Sequence, residues 1–253
     1  MRMLWRKDWL ETRWRFAIGF AVLACMAVAA ILGYPQVKKL LPLITDRYPG
    51  ELGRRIREGA DLVRTFRGFV WVQWIRQNCS QMIILFAALL GTAGVTSPSR
   101  GGLFTLSLPV SRRRLAGTRA ATGLAELAVL AFAPPLVFPL LAPVIGERYA
   151  VADSLAHGLC AFAVGTAIFE LAFLLSTAFD DRWKPLLVTL GIAAAVGLAE
   201  YVTRLPFLGV FHVMIGEDWF RARELPWIGI LATGAAAILL HGAAVWNFRR
   251  RDF

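Results

Sequence analysis

The run "FAIGFAVLACMAVAAILGY", residues 16–34, decides the fold class. It carries no charged side chain. At the helical rise of 1.5 Å per residue it is about 28 Å long, close to the roughly 30 Å hydrocarbon core of a bilayer. A helix that is apolar on all sides needs either a large protein core or a membrane around it.

The residues before it, "MRMLWRKDWLETRWR", fit an amphipathic helix over 1–15. Met1, Trp5, Trp9 and Phe16 fall on one stripe and Arg2, Arg6 and Arg13 on another. Glu11 and Arg15 stand in the favourable i, i+4 order. Tryptophan suits the headgroup level, where its ring is apolar and its N–H needs a partner. The segment is therefore expected as a cytosolic interfacial helix leading into the first span. A secretory signal would share the basic start, and Ala27-Val28-Ala29 has the small residues of a cleavage site. However, the charged segment holds Asp8, Glu11 and three tryptophans, and the apolar run continues through Ile31 and Leu32. The run is read as a retained span.

The same test finds five more spans along the chain. A charge-free stretch covers 77–99, with the span itself expected over 80–96. "AATGLAELAVLAFAPPLVFPLLAPVIG" (120–146) contains Glu126 and four prolines, with its span over 120–145. "SLAHGLCAFAVGTAIFELAFLLSTAF" (154–179) contains His157 and Glu170. A span over 185–203 carries Glu200 near its end, and a last one covers 227–248, followed at once by Arg249, Arg250 and Arg251. Composition agrees. The 253 residues are 57% hydrophobic and only 18% charged, against about 25% charged in soluble domains. The fold class expected is an all-α integral membrane protein with six transmembrane helices in a single domain over 1–253.

The formal charge of +11 would suit a nucleic-acid partner if the basic residues formed one solvated face. They instead flank apolar runs, so nucleic acid is excluded and the charge is read as topology. Six spans put both ends of the chain on one side. That side carries about 15 Lys and Arg against about 13 on the other. About nine of the 13 belong to residues 35–79, where Asp46, Glu51, Glu58 and Asp61 partly neutralise them. Both termini are accordingly expected in the cytoplasm of a bacterial-type inner membrane. In the 35–79 segment Ile56, Val63, Phe66, Val70 and Trp74 recur at helical spacing, opposite Arg54, Arg57, Asp61 and Arg64. An amphipathic external helix at the membrane surface follows.

Cys25, Cys79 and Cys160 form no CxxC, and two lie in apolar runs, so they read as packing residues. Between the last two spans "RLPFLGVFHVMIGEDWFRARELP" has an apolar heart, Pro206 to Ile215, too short to cross. A re-entrant or interfacial segment is expected there.

The loop over 97–119 poses a different problem. Five arginines lie between Arg100 and Arg119 with no acid among them. Beside a span they serve topology and lipid headgroups. That does not account for "LFTLSLP" at 103–109, which puts Leu103, Phe104, Leu106 and Leu108 into a cytosolic loop. An apolar knob edged with arginine has the form of a docking element, with aliphatic burial for affinity and arginine for charge pairing. Ser111 can cap a helix beginning at Arg112.

The string "GGLFTLSLPVSRRRLAGTRA" resembles the loop between the second and third spans of ABC-2-type transporter permeases, where T-L-x-L-P-V-S-R-R follows the second span. "LWRKDWLETRWRFAIG" resembles the start of that family. The resemblance implies six membrane helices, a coupling helix after the second span and re-entrant pieces before the last. It implies a dimer with a second permease copy, identical or not, and two copies of a separate ATPase subunit that holds ATP and Mg. On this sequence Leu103, Phe104, Leu106, Ser107, Leu108 and Pro109 would be the ATPase-docking knob, with Arg100, Arg112 and Arg113 at its edge. The 35–79 segment is longer than the minimal family pattern. The cargo implied is hydrophobic or amphipathic, a lipid, drug or peptide, moved by export.

No GxxxxGK[ST] phosphate loop occurs, so no cofactor is expected in this chain and ATP must act through a partner. Glu126 lies near the cytoplasmic end of its span, within reach of Arg119 or Arg114. Glu170 lies deeper and is the candidate for the translocation path or the dimer interface, with Glu126 second. Intramembrane hydrolysis would need clustered ligands. His157, His212 and His241 lie in different segments without HExxH, and no GxSxG occurs. An intramembrane enzyme and a structural or receptor-like subunit stay open as alternatives.

Overall fold

A computed structural model describes residues 2–45, 54, 59–92, 111–179, 181, 183–203 and 209–250. All regular secondary structure among them is helical. Helix α1, Arg2–Thr45, is a single rod of about 66 Å. The interfacial helix expected over 1–15 and the span over 16–34 are consecutive parts of it, with no break at residue 15. Pro35 and Pro42 sit inside its last third, each removing one backbone donor from the ladder.

A short α2, Phe66–Phe69, starts where the Thr65 hydroxyl accepts the Gly68 N–H at 3.1 Å. It runs without interruption into a π-helical segment, Val70–Cys79, and then α3, Ser80–Gly91. The remaining residues of the span expected over 80–96 lie outside the described ones. Helix α4, Arg112–Phe132, begins at the residue expected, although the Ser111 side chain makes no cap bond. Its prolines then dictate the path. Pro134–Leu136 and Ala142–Ile145 are 3₁₀ turns on either side of α5, Val137–Leu141. Proline cannot donate to a helix ladder, so the span of 120–145 continues after Phe132 as a chain of short pieces.

Helix α6, Val151–Ala178, is the centre of the bundle, in contact with α3, α4, α7 (Trp183–Thr203) and α10 (Trp227–Arg250). Two six-residue helices, α8 (Val210–Ile215) and α9 (Glu217–Ala222), fill the position of the expected re-entrant segment. At about 9 Å each they are too short to cross a bilayer. Five helical stretches are long and apolar enough to span a membrane: 4–42, 112–145, 151–178, 183–203 and 227–250. Burial separates them. The most apolar stretch of α6 is 56% buried, while that of α7 is 11% and that of α10 is 17%. The exposed sides of α7 and α10 carry Leu187, Leu198, Val202, Ile228, Leu231 and Leu239, a surface suited to lipid or to another apolar partner.

Small residues set the helix spacing. A Cβ on Gly91 would lie 2.4 Å from the Phe169 carbonyl oxygen, and one on Gly123 would enter the Phe169 ring. The backbones of α3 and α6 approach so closely that nothing larger fits, which is how membrane helices gain packing without a hydrophobic driving force. At one end of the bundle an aromatic cluster takes over. Tyr34, Phe66, Phe69, Trp74, Phe138 and Tyr149 join α1, α2, the π segment and α5, with ring centroids 5.0–6.4 Å apart. The Tyr34 hydroxyl donates to the Arg64 carbonyl at 2.7 Å.

Candidate functional site

The two ends of the bundle differ in chemistry. The start of α1, the end of α3, the start of α4 and the end of α10 meet at an arginine-rich end. Arg15 Nη1 donates to the Leu89 carbonyl at 2.7 Å, Arg119 Nη1 to the Asp8 carbonyl at 3.2 Å, and Arg112 Nη1 reaches the Phe248 and Arg249 carbonyls at 3.5 and 3.4 Å. The buried Arg119 guanidinium also faces the carboxylates of Asp8 at 4.0 Å and Glu11 at 3.9 Å. Glu126, also buried, accepts a hydrogen bond from Thr12. The expected closeness of Glu126 and Arg119 is present as a shared cluster, in which Arg119 takes its direct partners from α1. Arg113 is exposed on the first turn of α4. Arg100, Leu103, Phe104, Leu106, Ser107, Leu108 and Pro109 lie outside the described residues.

Midway, Glu170 of α6 is buried and meets Nδ1 of His241 on α10 at 3.0 Å. The His241 ring stacks on Phe173, and about two turns further toward the arginine-rich end Asn247 donates to Thr177 at 3.0 Å. Among the described residues, then, Glu170 joins two helices of one chain. His241 is its partner across a sequence separation that no local motif would reveal.

The aromatic end holds the most connected carboxylate. Asp153, in the first turn of α6, is buried. Its Oδ1 accepts from Trp219 Nε1 at 2.8 Å and from Arg223 Nη1, and its Oδ2 pairs with Arg67 Nε at 3.3 Å. The helix N-terminus adds a favourable partial charge. Around this carboxylate α8 and α9 are tied to α2 and the π segment. Arg67 Nη2 donates to the Trp219 carbonyl at 3.2 Å, Phe220 stacks on Trp71 with centroids 4.4 Å apart, and Trp71 Nε1 donates to the Ile215 carbonyl at 3.0 Å. Burial, then the nearby Asp153 charge, raises the Tyr149 hydroxyl well above its ordinary pKa and keeps it neutral. Between α8 and α9, Gly216 is left-handed (φ +59°), and a Cβ there would lie 2.7 Å from Nδ1 of the buried His157.

Beside this latch an open groove of about 690 Å³ runs between the π segment, α3, α7 and α8. Arg76 and Glu200 line it. Neither Asp153 nor Arg76 stands out in the sequence, where both read as ordinary charges at span ends. An unpaired carboxylate at the first turn of a span was the signal available for Asp153. No protein-family model, curated protein or solved structure matches this chain.

Proposed function

We propose that this chain is the membrane permease subunit of an ABC-2-type transporter, without a nucleotide site of its own. Its segment 97–119 docks on a separate ATPase present in two copies, which carries ATP and Mg. A second permease copy completes the assembly, and the cargo is hydrophobic or amphipathic and exported. The sixth membrane crossing is the one expected over 80–96, of which α3 is the described helical part.

One observation carries the reading. The start of α4, which the apolar-arginine string directly precedes in the sequence, lies at the end of the bundle where α1 begins and α10 finishes, and Arg112 braces the carbonyls of α10 there. A subunit seated on that string would push on four helices at once. Rigid helices transmit such a push as tilts of whole bodies. Two helices too short to cross, held at the opposite end, fit the re-entrant position of the family.

The test is functional coupling. Co-reconstituted with its ATPase, the chain should change that enzyme's ATP turnover. Leu108→Glu should abolish the change while the protein still inserts and elutes as a single species. Unchanged coupling in that variant would remove the docking assignment, and turnover indifferent to the wild-type chain would remove the permease reading.

A further inference from the structure

The groove beside the Asp153 latch is lined by Arg76, Glu200, Glu217 and His212; Glu217 is paired with Arg221 and His212, while Arg76 and Glu200 are opposite charges that do not meet. Arg76 lies in the last turn of the π segment. Its guanidinium lies 6.0 Å from the Trp71 ring and has no carboxylate partner among the described residues. Glu200 lies one turn from the end of α7. Both its oxygens stand 3.1 Å from the Phe211 N–H, and no cation among the described residues pairs with it. Two unneutralised opposite charges in one groove leave room for a ligand that carries both signs.

The depth of the groove narrows the choice. It opens at the aromatic end, where α7 finishes and the exposed Tyr201 ring marks a headgroup level. Lower on α7 a second, apolar slot of about 120 Å³ lies against Ile168, Leu171, Ile192, Ala193 and Val196. Phe211 lines both the groove and the slot. One side of α7 thus presents a charged mouth above an apolar cleft, and that cleft runs toward the hydrocarbon. π-helical segments, such as the one that carries Arg76, concentrate at functional sites.

We infer that this groove binds a zwitterionic phospholipid of the phosphatidylethanolamine type. Arg76 takes the phosphate, for which its planar donor fork is suited. Glu200 takes the ammonium, and an acyl chain enters the apolar slot. The inference requires that the chain spans a membrane and does not require that it transports anything. It therefore stands or falls separately from the ATPase coupling above.

Native mass spectrometry of the full chain released from detergent tests it. Dioleoyl phosphatidylethanolamine should bind at least tenfold more tightly than dioleoyl phosphatidylglycerol or dioleoylglycerol. Arg76→Gln should bring both phospholipids down to the level of dioleoylglycerol. Glu200→Gln should remove the preference for phosphatidylethanolamine and leave phosphatidylglycerol unweakened. Ala193→Phe, which fills the slot, should lower phosphatidylethanolamine binding without touching either charge. Soluble phosphoethanolamine should not displace the lipid at concentrations where dioleoyl phosphatidylethanolamine does. The proposal is overturned if dioleoylglycerol binds as well as the phospholipids, or if phosphatidylglycerol is preferred regardless of Glu200. It is overturned equally if phosphoethanolamine alone competes, since the site would then take the headgroup and not the lipid. Circular dichroism and elution volume check each variant's fold. Glu200→Gln and Ala193→Phe decide the matter even if Arg76→Gln fails to fold.

Discussion

Asp153 shows what a single buried side chain does in this bundle. Its carboxylate is shared by Arg67, Arg223 and Trp219, so removing its charge strands donors on two other elements. Breaking a buried pair costs about 3–5 kcal/mol. Arg223 is half exposed and recovers water, so Asp153→Asn is expected to cost about 2–3 kcal/mol. Arg223→Gln, which leaves Arg67 in place, should cost about 1 kcal/mol. Thermal unfolding in detergent measures both, and an Asp153→Asn loss no larger than that of Arg223→Gln would show that the cluster is not cooperative. Gly216 tests the same latch from the backbone. Gly216→Ala forces a left-handed alanine against His157. It should lower stability by about 2–3 kcal/mol, with contributions from handedness and from overpacking. A melting temperature equal to that of the wild type would mean that the α8–α9 turn is free to rearrange.

At the scale of the element, the question is what each helix was bound to be. Long apolar runs made α6, α7 and α10 readable to within a few residues, because hydrocarbon tolerates only helices with their backbone satisfied. The join of α1 was not readable. Trp5, Trp9 and Trp14 look interfacial while the helical ladder passes through them into the span, and the helix continues past Pro35 and Pro42 to Thr45. The site residues were harder still. Glu170 could be picked out as a carboxylate inside a span, but His241 lies on another span, and pairing across the bundle leaves no local pattern. Arg76 and Glu200 were invisible as a pair for the same reason. Glycine contacts give the sharpest test of the helix packing. Gly91→Ala drives a methyl into the Phe169 carbonyl and should cost about 1–3 kcal/mol. Gly33→Ala on α1 meets nothing within 4 Å and should be neutral or stabilising by about 0.5–1 kcal/mol. Equal effects at the two sites would mean that α3 and α6 are not held at the spacing found here.

For the whole molecule, the asymmetry between its ends becomes a prediction about topology. Arginines 112–114 and 249–250 crowd one end, and the opposite end mixes Arg67, Arg148 and Arg223 with Asp153 and Glu147. Lys38 pairs with Glu147 at 3.0 Å, which ties the far part of α1 to that second end. The positive-inside rule predicts that the first end faces the cytoplasm. The arrangement is rigid in one respect. Because Lys38–Glu147 and Arg119–Asp8 anchor the same helix α1 at opposite ends, residues 113 and 148 must face opposite sides of the membrane whichever way the protein inserts. In a background without Cys25, Cys79 and Cys160, a membrane-impermeant thiol reagent should label Arg148→Cys in intact cells and Arg113→Cys only after permeabilisation. The reverse pattern would invert the orientation, put the apolar-arginine string outside, and end the case for an ATPase gripping it. Labelling of both from one side would break the bundle itself, since no helix packing found here allows α4 to begin and α6 to begin on the same face.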